Sequence, residues 1–212
     1  MVVTGREPFL KTDCQLRQLH AHRFRKSPSM ASSLEFEVPH AGLQDSYRDL
    51  IREFIANQES LVPFVLGFPN QDFTAFLDHL TACARGESLP VGFVAHSTYW
   101  IVRDGMVVGV SNLRHALTEK LRREGGNIGY GVRPSARGQG IATELLRHTL
   151  IRASEIGLQK VLITCSQDNP ASARTIIKNG GRLDSEEFLP ERSEVEQRYW
   201  IHLNPIRSSN SP

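Results

Sequence analysis

In the stretch GYGVRPSARGQGIATELL, residues 129 to 146, two arginines and two closely spaced glycines stand between a short apolar run and a run of helical periodicity. Pro134 stops the preceding strand. The small or flexible Ser135, Gly138 and Gly140 then let successive backbone N–H groups turn toward one point as the helix begins. A helix N-terminus carries about half a positive charge and several unpaired donors, so such a loop is an anion cradle suited to phosphate. Arg133 and Arg137 add fixed positive charge beside it. Two familiar phosphate loops fit poorly. A P-loop needs Lys and then Ser or Thr after its last glycine, where Ile141 and Ala142 stand. A dinucleotide fingerprint needs a third glycine at Thr143 and an acidic residue near Cys165 and Ser166. An ordinary basic surface turn is the plain alternative.

The elements that must position this loop are legible on either side. LEFEVP, from residue 34, alternates like a strand, and Leu43, Tyr47, Leu50, Ile51, Phe54 and Ile55 mark one face of a helix. Phe73, Phe76, Leu77 and Leu80 mark a second. Between them ESLVPFVLGFPN reads as a loop rich in apolar residues, a pocket wall or core cover. STYWIVRDGMVVGVSNLRH and GGNIGYGVR read as strands, with Asp104-Gly105 as a hairpin turn. Ala142, Leu145, Leu146, Thr149, Leu150 and Ala153 then repeat at helical spacing, Gly157 closes that helix, and KVLITC is a buried strand. A short helix opens at Asn169-Pro170, with Asp168 or Asn169 as its cap. EVEQRYWIHL is a last strand. The fold class is therefore α/β (α+β): a mixed, mostly antiparallel sheet flanked by helices, with a locally parallel β-α-β unit around the loop.

Bulk properties narrow the classes. A chain of 212 residues, 40% hydrophobic and 23% charged, builds one sizeable core. No apolar run approaches the length of a bilayer span, and the N-terminus lacks the apolar core of a secretory signal, so a membrane partner is not expected. The three cysteines, Cys14, Cys83 and Cys165, suit neither a disulfide framework nor a metal site and point to a cytoplasmic protein. No metal is expected. Residues 1 to 29 carry +4 of the chain's net +2, which leaves the body at −2 and argues against nucleic acid as a partner. The expected organisation is a basic extension over 1–30, one domain over 31–206 and a frayed tail over 207–212. Met30 is an alternative start.

Arg137-Gly138-Gln139-Gly140-Ile141-Ala142 resembles the Arg/Gln-x-x-Gly-x-Gly/Ala signature of the GNAT N-acetyltransferases. The strand NIGYGVRP before it, the strand VLITC after its helix, and Asn169 with Ser172 opening the next helix extend the resemblance over about residues 128 to 181. Within the family, GYGVRPSARGQGIATE looks similar to the branch that includes the ribosomal-protein N-terminal acetyltransferases. The resemblance implies a GNAT fold and an acetyl-CoA-dependent N-acetyltransferase acting on a primary amine, of a small molecule or a peptide. It implies that the N–H groups of residues 138 to 142 hold the coenzyme pyrophosphate, with Arg133 or Arg137 nearby. Pantetheine would run along Val132, whose N–H would bind the thioester carbonyl and stabilise an oxyanion. Asn169 and Ser172 would line the same slot. Family members often pair through edge strands, so a homodimer is compatible with the resemblance.

The chain departs from the family at Ile176, where many members place a tyrosine that protonates the leaving thiolate. Two catalytic candidates follow. His115 follows the strand VVGVSNLR and titrates near neutral pH; Tyr130 lies two residues before Val132, on the same face of that strand. Asn112 and Arg114 flank the acceptor groove, and Arg114 suits a substrate carboxylate. Cys165 as a covalent carrier has no activating neighbour in sequence, which favours direct transfer. Trp100, Tyr199 and Trp200 read as packing and groove wall. A non-catalytic acyl-CoA sensor and a nucleotide-binding interaction module are the alternative functions, separated from the enzyme by thiol release and by preference for coenzyme A.

Overall fold

The computed structural model describes residues 33–203, so the basic extension, Cys14, Met30 and the terminal tail lie outside the described residues. Seven strands and five α-helices follow the order β1 (Leu34–Glu37), α1 (Gln44–Ala56), α2 (Phe73–Arg85), β2 (His96–Arg103), β3 (Met106–Arg114), α3 (Glu119–Arg123), β4 (Ile128–Val132), α4 (Ile141–Glu155), β5 (Lys160–Ser166), α5 (Pro170–Lys178), β6 (Arg182–Leu189) and β7 (Glu194–His202). Local chemistry explains most boundaries. The Asp72 carboxylate accepts the Ala75 N–H at the start of α2, and left-handed Gly86 ends it. Asp104 and Gly105 both take positive φ between β2 and β3, as a two-residue hairpin of this type requires. α3 is a single capped turn that the periodicity does not announce.

The strands form two sheets, β1-β2-β3-β4 and β5-β7-β6, and every strand pairing among the described residues is antiparallel. α1 and α2 cover one face of the first sheet, where Tyr47, Leu50, Phe54 and Phe76 pack with Trp100 and Val110. Ile55, expected on that face, is 61% exposed, because α1 turns it past the edge of the contact. α4 covers the other face through Leu145, Leu146 and Leu150.

The parallel contact expected between β4 and β5 is confined to one end. Asn127 N–H donates to the Leu162 carbonyl at 2.6 Å, and Leu162 N–H donates to Asn127 Oδ1 at 2.9 Å. No ladder continues from there. Gly126 is required just before this clip, because a Cβ on it would stand 2.3 Å from the Leu162 carbonyl oxygen. The two sheets are thus joined at the start of β4 and separate beyond it, which places a slot between β4 and β5.

Candidate functional site

The loop after β4 has the shape its composition predicts. Pro134–Ala136 form one 3-10 turn, Gly138 and Gly140 take φ of 77° and 78°, and Gly140 caps α4 from the left-handed region. The first bonds of α4 run from the Thr143 and Glu144 N–H groups, both to the Gly140 carbonyl. Among the described residues, the N–H groups ahead of them, from Gly138 to Ala142, have no acceptor. Nothing lies within 4 Å of a Cβ built on Gly138 or Gly140. Five unpaired donors therefore stand at the positive end of a 15-residue helix, with open space beside its two glycines. The Gln139 side chain is turned aside, its Oε1 accepting from Arg103 Nη1 at 2.6 Å.

Both arginines expected beside the anion are committed elsewhere. Arg133 is 4% exposed and turns into the body, donating to the Ser46 carbonyl at 2.7 Å and facing Glu53 at 3.5 Å. Arg137 makes two parallel bonds to the Glu59 carboxylate, at 2.8 and 2.6 Å, with its guanidinium over the Phe54 ring. This pairing holds the Glu59 carboxyl below its ordinary range. Arg137 Nε also donates to the Val132 carbonyl at 3.0 Å. In this structure the two guanidiniums anchor the loop to α1 and to the segment after it.

β4 presents its outer edge to the slot. Arg133 N–H donates to the Val108 carbonyl, toward β3. Alternation then points the Val132 and Tyr130 N–H groups away from β3, to the slot. With the Val132 carbonyl capped by Arg137, the N–H is the free polar group at that position. Across the slot, Asn169 caps α5, its Oδ1 accepting the Ser172 N–H at 3.0 Å. The Tyr130 side chain crosses to this helix, its hydroxyl 2.9 Å from Ser172 Oγ. Burial pushes the Tyr130 phenol up to about 12. Cys165 is buried beside the same pair, and burial pushes its thiol up to about 11. It is a small core residue rather than a nucleophile. Ile176, where a family tyrosine was sought, is fully buried.

The other three candidates separate onto two faces. Arg114 and Asn112 share the face of α1 and α2. Asn112 is fully buried, its amide donating to His96 Nδ1 at 2.9 Å and to the Ser97 carbonyl at 3.3 Å. It holds the hairpin together and does not line a groove. Arg114 donates to the Gly125 and Gly126 carbonyls and lies over the Phe64 ring, at the wall of a cavity of about 300 Å³. His115, one residue on, sits on the opposite face with its Nε2 2.9 Å from Ser97 Oγ, and burial lowers its pKa. It stands four residues along β3 from Ser111, the partner of Tyr130, so about 13 Å separates them along the strand. The structure brings Tyr130, Val132, Asn169 and Ser172 together, and does not bring His115 to them.

The apolar loop between α1 and α2 is a wall of this region. Its Val62 carbonyl lies 2.0 Å from where a Cβ on Gly131 would be, and Pro63 lies against Gly129. Asn127, Glu59 and His96 also shape the site without having been singled out by their sequence context. The one signal available is the Gly125-Gly126 pair ahead of β4, which marks a close backbone approach. Among the described residues, no helix is long and apolar enough to cross a membrane, and no group of three or more His, Cys, Asp or Glu could hold a metal ion.

Comparison with known proteins bears on this geometry. Residues 43–182 match a family model described as an acetyltransferase (GNAT) domain. No curated protein matches the sequence. Among solved structures, the chain resembles yncA, a putative acetyltransferase from Salmonella typhimurium with acetyl-CoA. The identity is 12%, the TM-score 0.57, and 84% of this chain and 99% of that one are covered. It also resembles RimL, the ribosomal L7/L12 alpha-N-protein acetyltransferase in complex with coenzyme A. Here the identity is 19%, the TM-score 0.60 and the coverage 83% and 97%. A third is the microcin C7 self-immunity acetyltransferase MccE in complex with acetyl-CoA and AMP, at 18% identity and TM-score 0.59, with coverage of 80% and 92%. At these identities the likeness is one of fold.

Proposed function

The chain belongs to the acetyltransferase (GNAT) family over residues 43–182, and on that premise we propose that it moves the acetyl group of acetyl-CoA directly onto a primary amine. The observation that carries this reading is the row of unpartnered N–H groups from Gly138 to Ala142, in the loop that follows the outward N–H of Val132. A pyrophosphate fits the first set, since five fixed donors at a helix start require no reorganisation to meet an anion. The outer edge of β4 fits an extended pantetheine, which would pair with it as an added strand, and Asn169 and Ser172 line the far side. Acetyl-CoA supplies an activated acyl carbonyl. The Val132 N–H is the donor for that carbonyl oxygen, where negative charge develops during transfer.

Tyr130 takes the part of proton donor in this reading. A phenol held near 12 keeps its proton throughout the neutral range, so it can give one to a departing thiolate and cannot act as a base. Its hydrogen bond to Ser172 fixes the hydroxyl at the slot. The acceptor enters as its neutral amine, the form that carries a nucleophilic lone pair, and the proton its nitrogen loses as the amide forms restores the phenol proton that Tyr130 gave up to the thiolate. Arg133 and Arg137 serve by holding the loop, through Ser46, Glu53 and Glu59. The free thiols of Cys83 and Cys165 accord with a cytoplasmic enzyme.

Thermal unfolding with acetyl-CoA, coenzyme A, NAD and ATP in parallel tests the reading. At about a hundred times its Kd, a ligand stabilises by roughly 2.7 kcal/mol, a shift of about 5 °C or more. Only the coenzyme A species should give it. Gly140→Asp should abolish the shift by setting a carboxylate against the anion, and Gly140→Asn, which tolerates the same positive φ, should retain more of it. Stabilisation by NAD or ATP, or by none of the four, would overturn the assignment. Thiol release with an amine panel then separates an enzyme from a silent binder.

A further inference from the structure

Arg114 is a half-buried, largely desolvated cation without a counter-charge. Its Nη1 is used by two backbone carbonyls, Gly125 at 2.7 Å and Gly126 at 3.1 Å, and its plane stacks over Phe64 at 5.2 Å. Among the described residues no carboxylate pairs with it. Burial alone pushes its pKa down to about 10, with no opposing charge to restore it. The buried guanidiniums among the described residues are matched: Arg133 faces Glu53, and Arg198 meets Glu187. An unmatched, desolvated charge is costly unless something else supplies the anion.

The cavity beside it has a consistent chemistry. Phe64, Phe93 and Leu121 supply apolar wall, Lys120 a second cation at the exposed mouth, and no acidic side chain lines it. His96, 2% exposed, closes another side. The Asn112 amide donates to the Ser97 carbonyl and so presents its nitrogen to His96 Nδ1 as well, which leaves the imidazole proton on Nε2. That Nε2–H has no partner. The charged groups and the imidazole N–H around this cavity are thus donors, the Thr118 hydroxyl is already taken as an acceptor by the Leu121 N–H, and the rest of the wall is apolar.

We propose that this cavity binds the carboxylate end of the acceptor, and that the acceptor is a peptide-like amine with a free carboxylate one residue beyond the amine-bearing one and an apolar side chain. This rests on the acetyltransferase reading, since it assigns the second substrate of the same site. The length follows from β4. Arg114 Nη2 is 3.9 Å from the Cβ position of Gly129, and Gly129 precedes Val132 by three residues, or about 10 Å of strand. A free α-amino acid falls short of that span. One further residue, at about 3.5 Å, together with the hydrogen-bond distance to the guanidinium, covers most of it.

The test is calorimetric binding of N-acetyl-alanyl-phenylalanine and of its C-terminal amide to the full chain with coenzyme A present. The free acid should bind at least tenfold tighter than the amide. Arg114→Gln should remove that preference and Arg114→Lys should keep part of it. Lys120→Ala, at the exposed mouth, should weaken the acid two- to threefold with little effect on the amide. Equal affinity for acid and amide in the unmodified chain, or binding of neither, overturns the proposal. Thiol release from acetyl-CoA with unacetylated alanyl-phenylalanine is read separately. Acid-selective binding without release would refute acetyl transfer to this amine while leaving the carboxylate subsite standing.

Discussion

Asn127 and Leu162 are bonded to each other twice, backbone N–H to carbonyl at 2.6 Å and N–H to side-chain oxygen at 2.9 Å. The Asn127 amide also donates to the Arg114 carbonyl at 3.1 Å, standing in for the N–H that has been turned toward β5. One buried side chain therefore closes the β3-β4 ladder and opens the slot between β4 and β5. Without it the Leu162 N–H would be buried and unpaired.

Asn127→Ala should therefore destabilise the chain by about 2–3 kcal/mol, from two lost bonds and one orphaned donor. It should also reduce the thermal shift given by acetyl-CoA, because the slot loses its fixed end. Denaturant unfolding and ligand titration of the variant measure both. A loss under about 0.5 kcal/mol with an unchanged ligand shift would mean that the clip does not set the slot.

Tyr130→Phe deletes the hydroxyl that reaches Ser172 and leaves the ring in the core between Ile128 and Val132. If the phenol protonates the leaving thiolate, kcat should fall by about a hundredfold with acetyl-CoA affinity nearly unchanged. Ser172→Ala, which loosens the hydroxyl without removing it, should cost less, about tenfold. Because burial holds Tyr130 near 12, the pH–rate profile of the unmodified chain should not show its titration across the neutral range. Unaltered kcat in Tyr130→Phe would remove it from the mechanism.

The loop's conformation was legible in the sequence because it depends on local rules: glycines for positive φ, proline to end a strand, and periodicity to start α4. The destinations of its arginines were not. Arg137 finds Glu59 at a separation of 78 residues, and Arg133 finds the Ser46 carbonyl at 87. Charge type predicts an anion partner, and only the packing of α1 against the loop decides whether that partner is a ligand or the chain itself. Asn112 failed as a groove residue for a related reason. A polar residue on a strand face is read as accessible until the buried His96 and Ser97 carbonyl that satisfy it are in view. β6, whose sequence RLDSEEFL carries little apolar alternation, is held by β7 rather than by a face of its own.

The Glu59–Arg137 pair makes an acid-side prediction. Arg137 holds the Glu59 carboxyl below its ordinary value, so the pair's contribution is full above the usual carboxylate range and is lost as pH falls through the lowered value. Both side chains are partly exposed, which keeps the effect on global stability small. The consequence should appear in binding: Glu59→Gln frees the loop and should weaken acetyl-CoA about two- to fivefold. Tighter binding in Glu59→Gln, titrated at pH 7, would instead mean that Arg137 leaves Glu59 to meet the phosphates.

His96 makes the opposite case, a base kept neutral. Burial, aided by Arg114, holds its imidazole down to about 4, so between pH 6.5 and 4 the unfolded chain binds a proton that the folded chain refuses. Stability should therefore rise with pH through that window, by up to about 1.4 kcal/mol per unit from this group. It should be insensitive to His96 above 6.5. Nitrogen-resolved NMR of the folded protein should show the Nε2–H tautomer, still neutral at pH 5.5. A carboxylate ligand in the neighbouring cavity should raise the imidazole pKa by adding a negative charge beside it. A His96 signal that titrates near 6.5 without ligand would mean that the imidazole meets solvent and that the cavity is wetter than its aromatic walls imply.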